Sequence, residues 1–297
     1  MTARVQTVNA LSIVAMLALL VVSIAAIILD DGGAPYTFTS ARGEAVELYG
    51  GQGPYRFDTT YKAVMFRGFD WVNLIVVLPL FVLGLLLYRR RQPRGGILLT
   101  ALFIFLAYIY LIGVMGNAFN GLFLGWTALF SLGLFGLWAV LTDLDRATLS
   151  QGLAEGFPRK PVALYVMGVG TLLLAQYLAE IIGAYAAGTT PASVDHYTTL
   201  ELAALELGIM IPLHFIGGAA AWRQNRWGYV LCAALAFTTA IVFMALSASL
   251  LLLARSYGQR DVADMAITLL ITLAASCVSL VIFQRIGRAE GDTRGRA

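Results

Sequence analysis

Three ionisable side chains lie well inside stretches that are otherwise apolar enough to cross a membrane, rather than near the ends of these stretches. Glu180 lies in the run 161–187, and Glu206 and His214 lie in the run 200–222. Charged groups within hydrocarbon are costly and usually face a protein interior or a water-filled cavity. Both glutamates are predicted about 10 Å below the same membrane boundary, on consecutive helices that should be neighbours. The pattern therefore predicts a carboxyl pair between these two helices.

A close carboxyl pair can hold a proton, because the two groups cannot easily be ionised at the same time in a medium of low dielectric constant. Gln176 and Tyr177 fall on the predicted face of Glu180, since they precede it by about one helical turn. His214 is predicted about 12 Å deeper than Glu206, where an imidazole could relay the proton inward. These residues form the predicted proton, cation or solute site. The alternative is that they only form hydrogen bonds that stabilise the helix bundle.

A second polar group is predicted at the same membrane boundary, beside the long polar loop 30–69. Arg67 and Asp70 are expected to pair with each other, with Asp70 as the N-cap of the following helix. Asn117 and Asn120 belong to a short turn, where asparagine is common. We expect these four residues to line the outer vestibule of a cavity that opens to the outside.

Enzyme motifs are nearly absent from the sequence. It contains no HExxH, no GxSxG, no P-loop and no cluster of three histidines or cysteines, which are the usual signs of metal, acyl-transfer or phosphate chemistry. We expect no catalytic residue, no metal site and no cofactor. Lys62 and Lys160, the only two lysines, lie outside the predicted spans, which excludes a retinal Schiff base. Asp143 and Asp145 could still hold a metal with a lipid phosphate.

The composition sets the class of protein. Hydrophobic residues make up 59% of the chain and charged residues 12%, and the mean hydropathy is +0.79. Soluble domains carry about 25% charged residues. Apolar runs of about 20 residues indicate membrane-spanning helices, and strands of membrane barrels lack such runs. The sequence predicts an all-α, polytopic integral membrane protein whose main partner is the lipid bilayer. The basic residues flank the spans, so they do not indicate nucleic-acid binding.

Eight spans are predicted, and the first is expected to remain uncleaved because its apolar run is too long for a signal peptide. The loop between the first two contains the β-prone segments 36–39 and 45–49, which predict a small extracytoplasmic hairpin or cap lying on the membrane. Most of the 20 lysines and arginines fall on one side of this arrangement. The positive-inside rule then predicts a multi-pass protein of the bacterial cytoplasmic (inner) membrane, with both termini in the cytoplasm. The predicted spans are 8–29, 71–88, 97–115, 121–141, 161–187, 200–222, 229–254 and 263–283.

Two segments of the chain share a pattern. Residues 78–102 and 211–235 both read Pro-Leu-x-x-apolar-Gly, then an aromatic and basic residues, then Arg-Gln-x-Arg-x-Gly. We therefore predict a parallel 4+4 internal repeat about an axis along the membrane normal. Asn73 would then occupy the place of Glu206 and belongs to the predicted binding residues. The predicted halves are 1–141 and 161–297, joined by a cytoplasmic connection over 142–160.

Short motifs over most of the chain resemble a group of uncharacterised bacterial membrane proteins with about eight spans. The resemblance implies the multi-pass architecture and no activity. At the position of Glu206 the group tends to have Asp. The motifs are Glu47-Leu48-Tyr49-Gly50, Arg67-Gly68-x-Asp70 with Pro79, Phe119-Asn120-x-Leu122-Phe123-Leu124, Pro161-Val162-Ala163-x-Tyr165, and Leu205-Glu206-Leu207 with Pro212.

The leading functional hypothesis is a protein that binds or translocates a small solute, a cation or a proton through a cavity between two helical halves. A non-catalytic accessory or assembly subunit of a larger membrane complex is the second hypothesis. A lipid-modifying membrane enzyme is the third. The buried acids favour the first, because ionisable groups within membranes usually serve a function.

Overall fold

The fold is taken from a computed structural model, which describes residues 3–144, 157–258 and 261–294, with side chains up to residue 286. Within these residues, eight helices are long and apolar enough to cross a membrane. They confirm the all-α, multi-pass class. The predicted connection falls largely on residues 145–156, outside the described ones. The helices are α1 (Ala3–Leu29), α2 (Thr60–Arg89), α3 (Pro93–Gly116), α4 (Phe123–Asp143), α5 (Arg159–Ala187), α6 (Glu201–Trp222), α7 (Arg226–Tyr257) and α8 (Val262–Arg294).

Helices α3 and α7 pack against each other at the centre of the bundle. In its most apolar stretch α3 is 78% buried, whereas α8 is only 22% buried. Among the first four helices, α1 packs closely on α4, so that α1, α2, α3 and α4 form a closed group. Among the last four, α5 packs on α6 and α8 packs on α7, but α5 and α8 make little or no contact within the described residues. The last four helices therefore lack a counterpart of the close α1–α4 contact.

A β-hairpin lies between α1 and α2, as the β-prone segments predict. Strands β1 (Tyr36–Thr39) and β2 (Ala45–Leu48) are antiparallel, with Tyr36 opposite Leu48. Gly50 follows β2 with a positive φ of 68°. A Cβ there would collide with the backbone of Ala34, so this close approach requires glycine. We call the end of the bundle that carries the hairpin the hairpin end, and the opposite end the arginine end.

Helix α2 starts ten residues before the predicted loop ends, so the loop spans 30–59 rather than 30–69. The N-cap is Thr59, whose side chain accepts a hydrogen bond from the backbone N–H of Lys62. The prediction that Asp70 is the N-cap was therefore wrong. The charged residues Lys62, Arg67 and Asp70 lower the hydropathy of the first turns of α2. These turns are nevertheless helical, and their Ala63, Val64 and Phe66 are buried.

Helices α2 and α6 each contain one π turn, at Asn73–Val77 and at Glu206–Met210. Each π turn ends just before an apolar residue and a proline. Proline lacks an N–H and clashes with the carbonyl four residues earlier, so a regular α-helix is strained there. In the wider turn, the N–H groups of Leu78 and Ile211 bond to carbonyls five residues back. The π turns therefore accommodate Pro79 and Pro212.

The two turns at the arginine end also have the same backbone form. Arg91 and Gln224 both adopt positive φ, at 55° and 64°. Gly95 follows Arg91, and Gly228 follows Gln224, by the same number of residues. Each glycine packs against the backbone of the preceding helix, where a Cβ would collide. The corresponding turns thus place α3 on α2 and α7 on α6 in similar ways.

Substituting either packing glycine should destabilise the protein. We expect Gly95→Ala and Gly228→Ala each to lower the free energy of unfolding by about 1–3 kcal/mol, because a backbone contact cannot yield to an added methyl group. Gly168→Ala is the matched control, since nothing lies near its Cβ position, and it should be neutral or slightly stabilising. Unfolding in mixed micelles measures all three. Equal stability of the three variants would contradict the packing argument.

Candidate functional site

Glu206 is the first residue of the π turn in α6, and only 7% of it is exposed. Its Oε1 accepts a hydrogen bond from the hydroxyl of Tyr108 on α3. Its Oε2 is buried, and no partner for it is present among the residues that the structure describes. An unpartnered polar oxygen in an apolar medium costs free energy. This oxygen is therefore a position where a proton, a cation or water would bind favourably.

Helix α3 makes a similar contact on its other side. Tyr110 lies two residues beyond Tyr108, so the two hydroxyls leave nearly opposite faces of α3. The side-chain amide of Asn73 donates to the Tyr110 hydroxyl at 3.1 Å and to Ser23 Oγ at 3.2 Å. Asn73 thus holds the place in α2 that Glu206 holds in α6. It belongs to a separate buried network and not to the surroundings of Glu206.

Tyr177 of α5 interacts electrostatically with Glu206, Glu180 and Glu201. Glu180, however, accepts hydrogen bonds from the backbone N–H of Ser193 at 2.9 Å and from the hydroxyl of the same residue. Across the described ranges, no hydrogen bond joins the two glutamates of the predicted pair. They lie on two different helices, and each has its own hydrogen-bond partner. Gln176 lies on an exposed part of α5.

His214 lies deeper on α6 and is 3% exposed. Its Nδ1 lies 2.7 Å from the carbonyl oxygen of Met210 and so carries the proton of the neutral ring. Its Nε2 is then an acceptor, and it has no partner in the described part of the chain. The side chain packs against Gly170 of α5, where a Cβ would collide with it. His214 is thus a second buried polar group with one free acceptor.

Lys62 and Glu201 form an ion pair that the sequence does not reveal. The Nζ of Lys62 contacts Glu201 Oε1 and the carbonyl oxygen of Gly116, and it lies 4.0 Å from the ring centre of Tyr197. Both side chains are largely buried. Lys62 falls in the predicted loop 30–69 and Glu201 at the start of the predicted span 200–222, whereas both lie in helices that meet here. Thr59, an N-cap residue type before a stretch with apolar residues, was the available signal that α2 begins before Lys62.

Asp58 joins three connecting segments at the hairpin end. Its carboxylate accepts hydrogen bonds from the backbone N–H of Ala118 at 2.8 Å, the hydroxyl of Tyr197 at 2.7 Å and the amide of Asn117 at 3.4 Å. Burial raises the pKa of Asp58 to about 6, although these donors and Lys62 lower it. The predicted vestibule position Asn117 is thus part of a buried joint between these connecting segments.

The other predicted vestibule residues have local structural partners. Arg67 pairs with Asp30, at 2.6 Å, and not with Asp70 as predicted. Asp70 is inside α2, where Tyr55 donates a hydrogen bond to its Oδ2 at 2.6 Å. The 30–59 loop folds back and so supplies both partners. The side chain of Asn120 bonds to backbone atoms two residues away on either side and shapes its own turn.

The proposed lipid-phosphate position at the arginine end is occupied by protein contacts. Asp143 accepts a hydrogen bond from the hydroxyl of Tyr88 and lies 3.5 Å from Arg91. Asp145 lies outside the described residues. This arrangement supplies a partner for Asp143 without any ligand.

Comparisons of the chain with protein-family models, with curated proteins and with solved structures found no match. The functional interpretation therefore depends on the geometry of the buried polar groups.

Breaking the Lys62–Glu201 pair should leave a buried charge without a partner. We expect Lys62→Met to lower the free energy of unfolding by about 3–5 kcal/mol. The double variant Lys62→Met/Glu201→Gln should lose less than the sum of the two single variants, because it leaves no buried charge behind. Unfolding in mixed micelles supplies the four free energies of the cycle. Additive losses would show that the two groups do not interact.

The buried carboxyl of Asp58 predicts a pH dependence of stability. Its pKa rises from 3.8 to about 6 on folding, so the folded protein binds this proton more tightly than the unfolded chain does. The free energy of unfolding should therefore fall by about 3 kcal/mol as the pH rises from about 4 to about 6. Asp58→Asn should remove this decrease. Unfolding in micelles across this pH range tests it.

Asp31→Asn is the control of opposite sign. Hydrogen bonds from the backbone N–H groups of Gly33 and Gln52 lower the pKa of Asp31, so any stabilisation by this group is lost as the pH falls. The Asp31→Asn variant should therefore still show the decrease in the free energy of unfolding as the pH rises towards 6. Parallel pH profiles for the wild type and Asp58→Asn would overturn the assignment to Asp58.

Proposed function

We propose that this protein binds a proton or a small cation at Glu206, inside the membrane, and moves it or a coupled solute between the two ends of the bundle. The observation that carries the proposal is the free Oε2 of Glu206, buried at a π turn in a membrane-spanning helix. Single π turns in α-helices often mark functional sites. A carboxyl group that only stabilised the bundle would be expected to use both oxygens.

Three titratable groups at increasing depth on α6 support a path. Glu201 lies at the start of the helix, Glu206 about 7.5 Å deeper, and His214 about 12 Å deeper again. Glu206 is held by the hydroxyl of Tyr108 from α3, and its charge acts on Tyr177 of α5. A proton taken up at Oε2 of Glu206 would leave towards the free Nε2 of His214, which accepts it. The hydroxyl of Tyr108 holds the carboxyl group in place during both steps.

We further propose that α1–α4 and α5–α8 are related halves in parallel orientation. The π turns, the positive-φ turns and the packing glycines support this. Two glycine contacts also correspond. Gly68 of α2 packs against Ser249 of α7, and Gly116 of α3 packs against Glu201 of α6. In the alignment of the two segments, Glu201 matches Gly68 and Ser249 matches Gly116. The hairpin end would be extracytoplasmic, with the hairpin as its cap. The arginine end would then face the cytoplasm of a bacterium and would carry both termini.

Infrared spectroscopy tests proton binding directly. The protonated carboxyl band of Glu206 should appear and disappear with the pH of the bulk water in the full chain in nanodiscs. It should be absent from Glu206→Gln and unchanged in Glu44→Gln, which removes an exposed carboxylate of the hairpin. A band that ignores the bulk pH would identify Glu206 as a sealed structural group and would refute the proposal.

Proton movement is tested in liposomes that enclose a pH-sensitive dye. Under an imposed membrane potential, the wild type should admit protons faster than empty liposomes. Glu206→Gln should reduce the rate to that of empty liposomes, and Glu44→Gln should leave it unchanged. Wild-type rates with Glu206→Gln would remove this residue from the path.

The lack of close packing between α5 and α8 favours a second candidate function, that of a non-catalytic accessory subunit. A helix of a larger membrane complex could pack against both helices and complete the group, as the α1–α4 contact does among the first four helices. Stoichiometric partners on purification, together with loss of assembly rather than of proton uptake in variants of the exposed α5 and α8 surfaces, would favour this candidate.

A further inference from the structure

Glu206 lies much closer to the hairpin end of α6 than to its arginine end. About 7.5 Å of helix separates it from Glu201, the first residue of α6, and about 24 Å separates it from Trp222, the last. Its side chain is buried, so a proton from bulk water reaches it only when part of the protein moves aside. The shorter way in is from the hairpin end, so the elements that cover this end are the ones that would control access.

Helices α3 and α6 contact each other at two depths along one seam. The deeper contact is the hydrogen bond from the Tyr108 hydroxyl to Glu206. At the hairpin end, the side chain of Glu201 packs against Gly116, the last residue of α3, where a Cβ would collide with it. The Nζ of Lys62 contacts both the carboxylate of Glu201 and the carbonyl oxygen of Gly116. The ion pair therefore closes the seam on the hairpin side of Glu206.

The connection between α5 and α6 covers this ion pair. We call residues 188–200, which form the connection, the lid loop. The ring of Tyr197 in the lid loop faces Lys62, whose Nζ lies 4.0 Å from the ring centre. The hydroxyl of Tyr197 donates a hydrogen bond to the carboxylate of Asp58 at 2.7 Å. One aromatic side chain of the lid loop thus lies on the ion pair and is fixed there by a buried acid.

The β-hairpin holds the lid loop in this position. From the turn of the hairpin, the guanidinium of Arg42 donates hydrogen bonds to the carbonyl oxygens of Asp195 and, at 2.8 Å, of Tyr197. Phe38 of β1 makes an edge-to-face contact with His196, with 5.9 Å between the ring centroids. These contacts join a surface hairpin to three consecutive residues of the lid loop.

The backbone of the lid loop is strained at the residue that Arg42 binds. Asp195 has φ 49° and ψ −130°, which lies outside the left-handed helical region that aspartate tolerates. Such a conformation persists only where the surrounding structure holds it. Arg42 binds the carbonyl oxygens of Asp195 and of Tyr197, two residues later. Loss of these hydrogen bonds would therefore allow the lid loop to relax to another conformation.

Resting on the proposed function, we propose that the lid loop is a gate for the proton of Glu206 and that Arg42 is its latch. With the latch bound, Tyr197 and the Lys62–Glu201 pair keep water out of the seam. When Arg42 releases the two carbonyl oxygens, Tyr197 moves away from the ion pair, and water enters between α3 and α6 as far as Glu206. The carboxyl group then gives its proton to water or takes one from it, and no other covalent bond changes.

Hydrogen–deuterium exchange of the Glu206 carboxyl group measures this access directly. The full chain in nanodiscs is transferred to D₂O, and the infrared band of the protonated carboxyl, identified by its absence from Glu206→Gln, is followed over time. We expect Arg42→Gln to speed the exchange by about tenfold, because the latch is lost. Tyr197→Phe keeps the ring but not the hydroxyl and should speed it by about threefold. Arg56→Gln, which removes an exposed arginine of the same 30–59 loop, should exchange as the wild type does.

A cross-link that holds the lid loop on the hairpin should have the opposite effect. Phe38→Cys/His196→Cys places one thiol on each element, in a Cys277→Ser background because Cys277 is exposed. A bifunctional methanethiosulfonate that joins the two thiols should slow both carboxyl exchange and proton uptake into liposomes, and a reducing agent should restore both rates. The monofunctional reagent, which modifies the same thiols without joining them, is the matched control and should not slow either rate.

Wild-type exchange rates in both Arg42→Gln and the cross-linked variant would overturn the gate. If proton uptake still depends on Glu206 in that case, the proposed function stands and only its control is wrong. If no variant shows a carboxyl band that responds to bulk pH or to D₂O, the gate and the proposed function both fall. Thermal unfolding is measured for each variant, because faster exchange with a matching loss of stability would show unfolding of the bundle and would also contradict the gate.

Discussion

Two hydroxyl groups on α3 connect this central helix to α2 on one side and to α6 on the other. Tyr110 bonds to Asn73 of α2, and Tyr108 bonds to Glu206 of α6. A polar group in hydrocarbon has no water to replace a lost partner, so these contacts fix the depth at which α2 and α6 lie beside α3. The two π turns lie at the same depth, because they begin at Asn73 and Glu206 themselves. The two contacts differ in one respect: the first is neutral, and the second involves an acid.

Hydropathy and turn residues predicted much of the fold. Eight apolar runs gave the helices, and the glycines around the β-prone segments gave the hairpin. The start of α2 was missed, because Lys62, Arg67 and Asp70 make its first turns look like a loop. Their partners come from elsewhere in the chain: Glu201 is 139 residues from Lys62. A sequence window cannot represent such contacts, so it treats a buried, paired charge as a solvated one.

The site was only partly predictable, for a related reason. Depth along a helix follows from residue counting, which located Glu206 and His214 within the membrane. The direction of a side chain depends on neighbouring helices, so the expected partnership of Glu180 with Glu206 gave way to contacts with Ser193 and Tyr108. The alignment of residues 78–102 with residues 211–235 also needed correction at the arginine end. The shared sequence motif aligns Gly96 with Gly228, whereas in the structure Gly95 makes the packing contact that corresponds to that of Gly228.

The π turn in α6 changes the angular phase of everything that follows it. Eight residues of regular α-helix would leave His214 about 80° around the axis from Glu206. The π turn Glu206–Met210 lies between them and adds one residue to a turn, which rotates the rest of the helix back by about 100°. The carboxyl and the imidazole therefore fall within about 20° of one line parallel to the axis. A backbone irregularity that accommodates Pro212 thus also aligns two titratable groups across the thickness of the membrane.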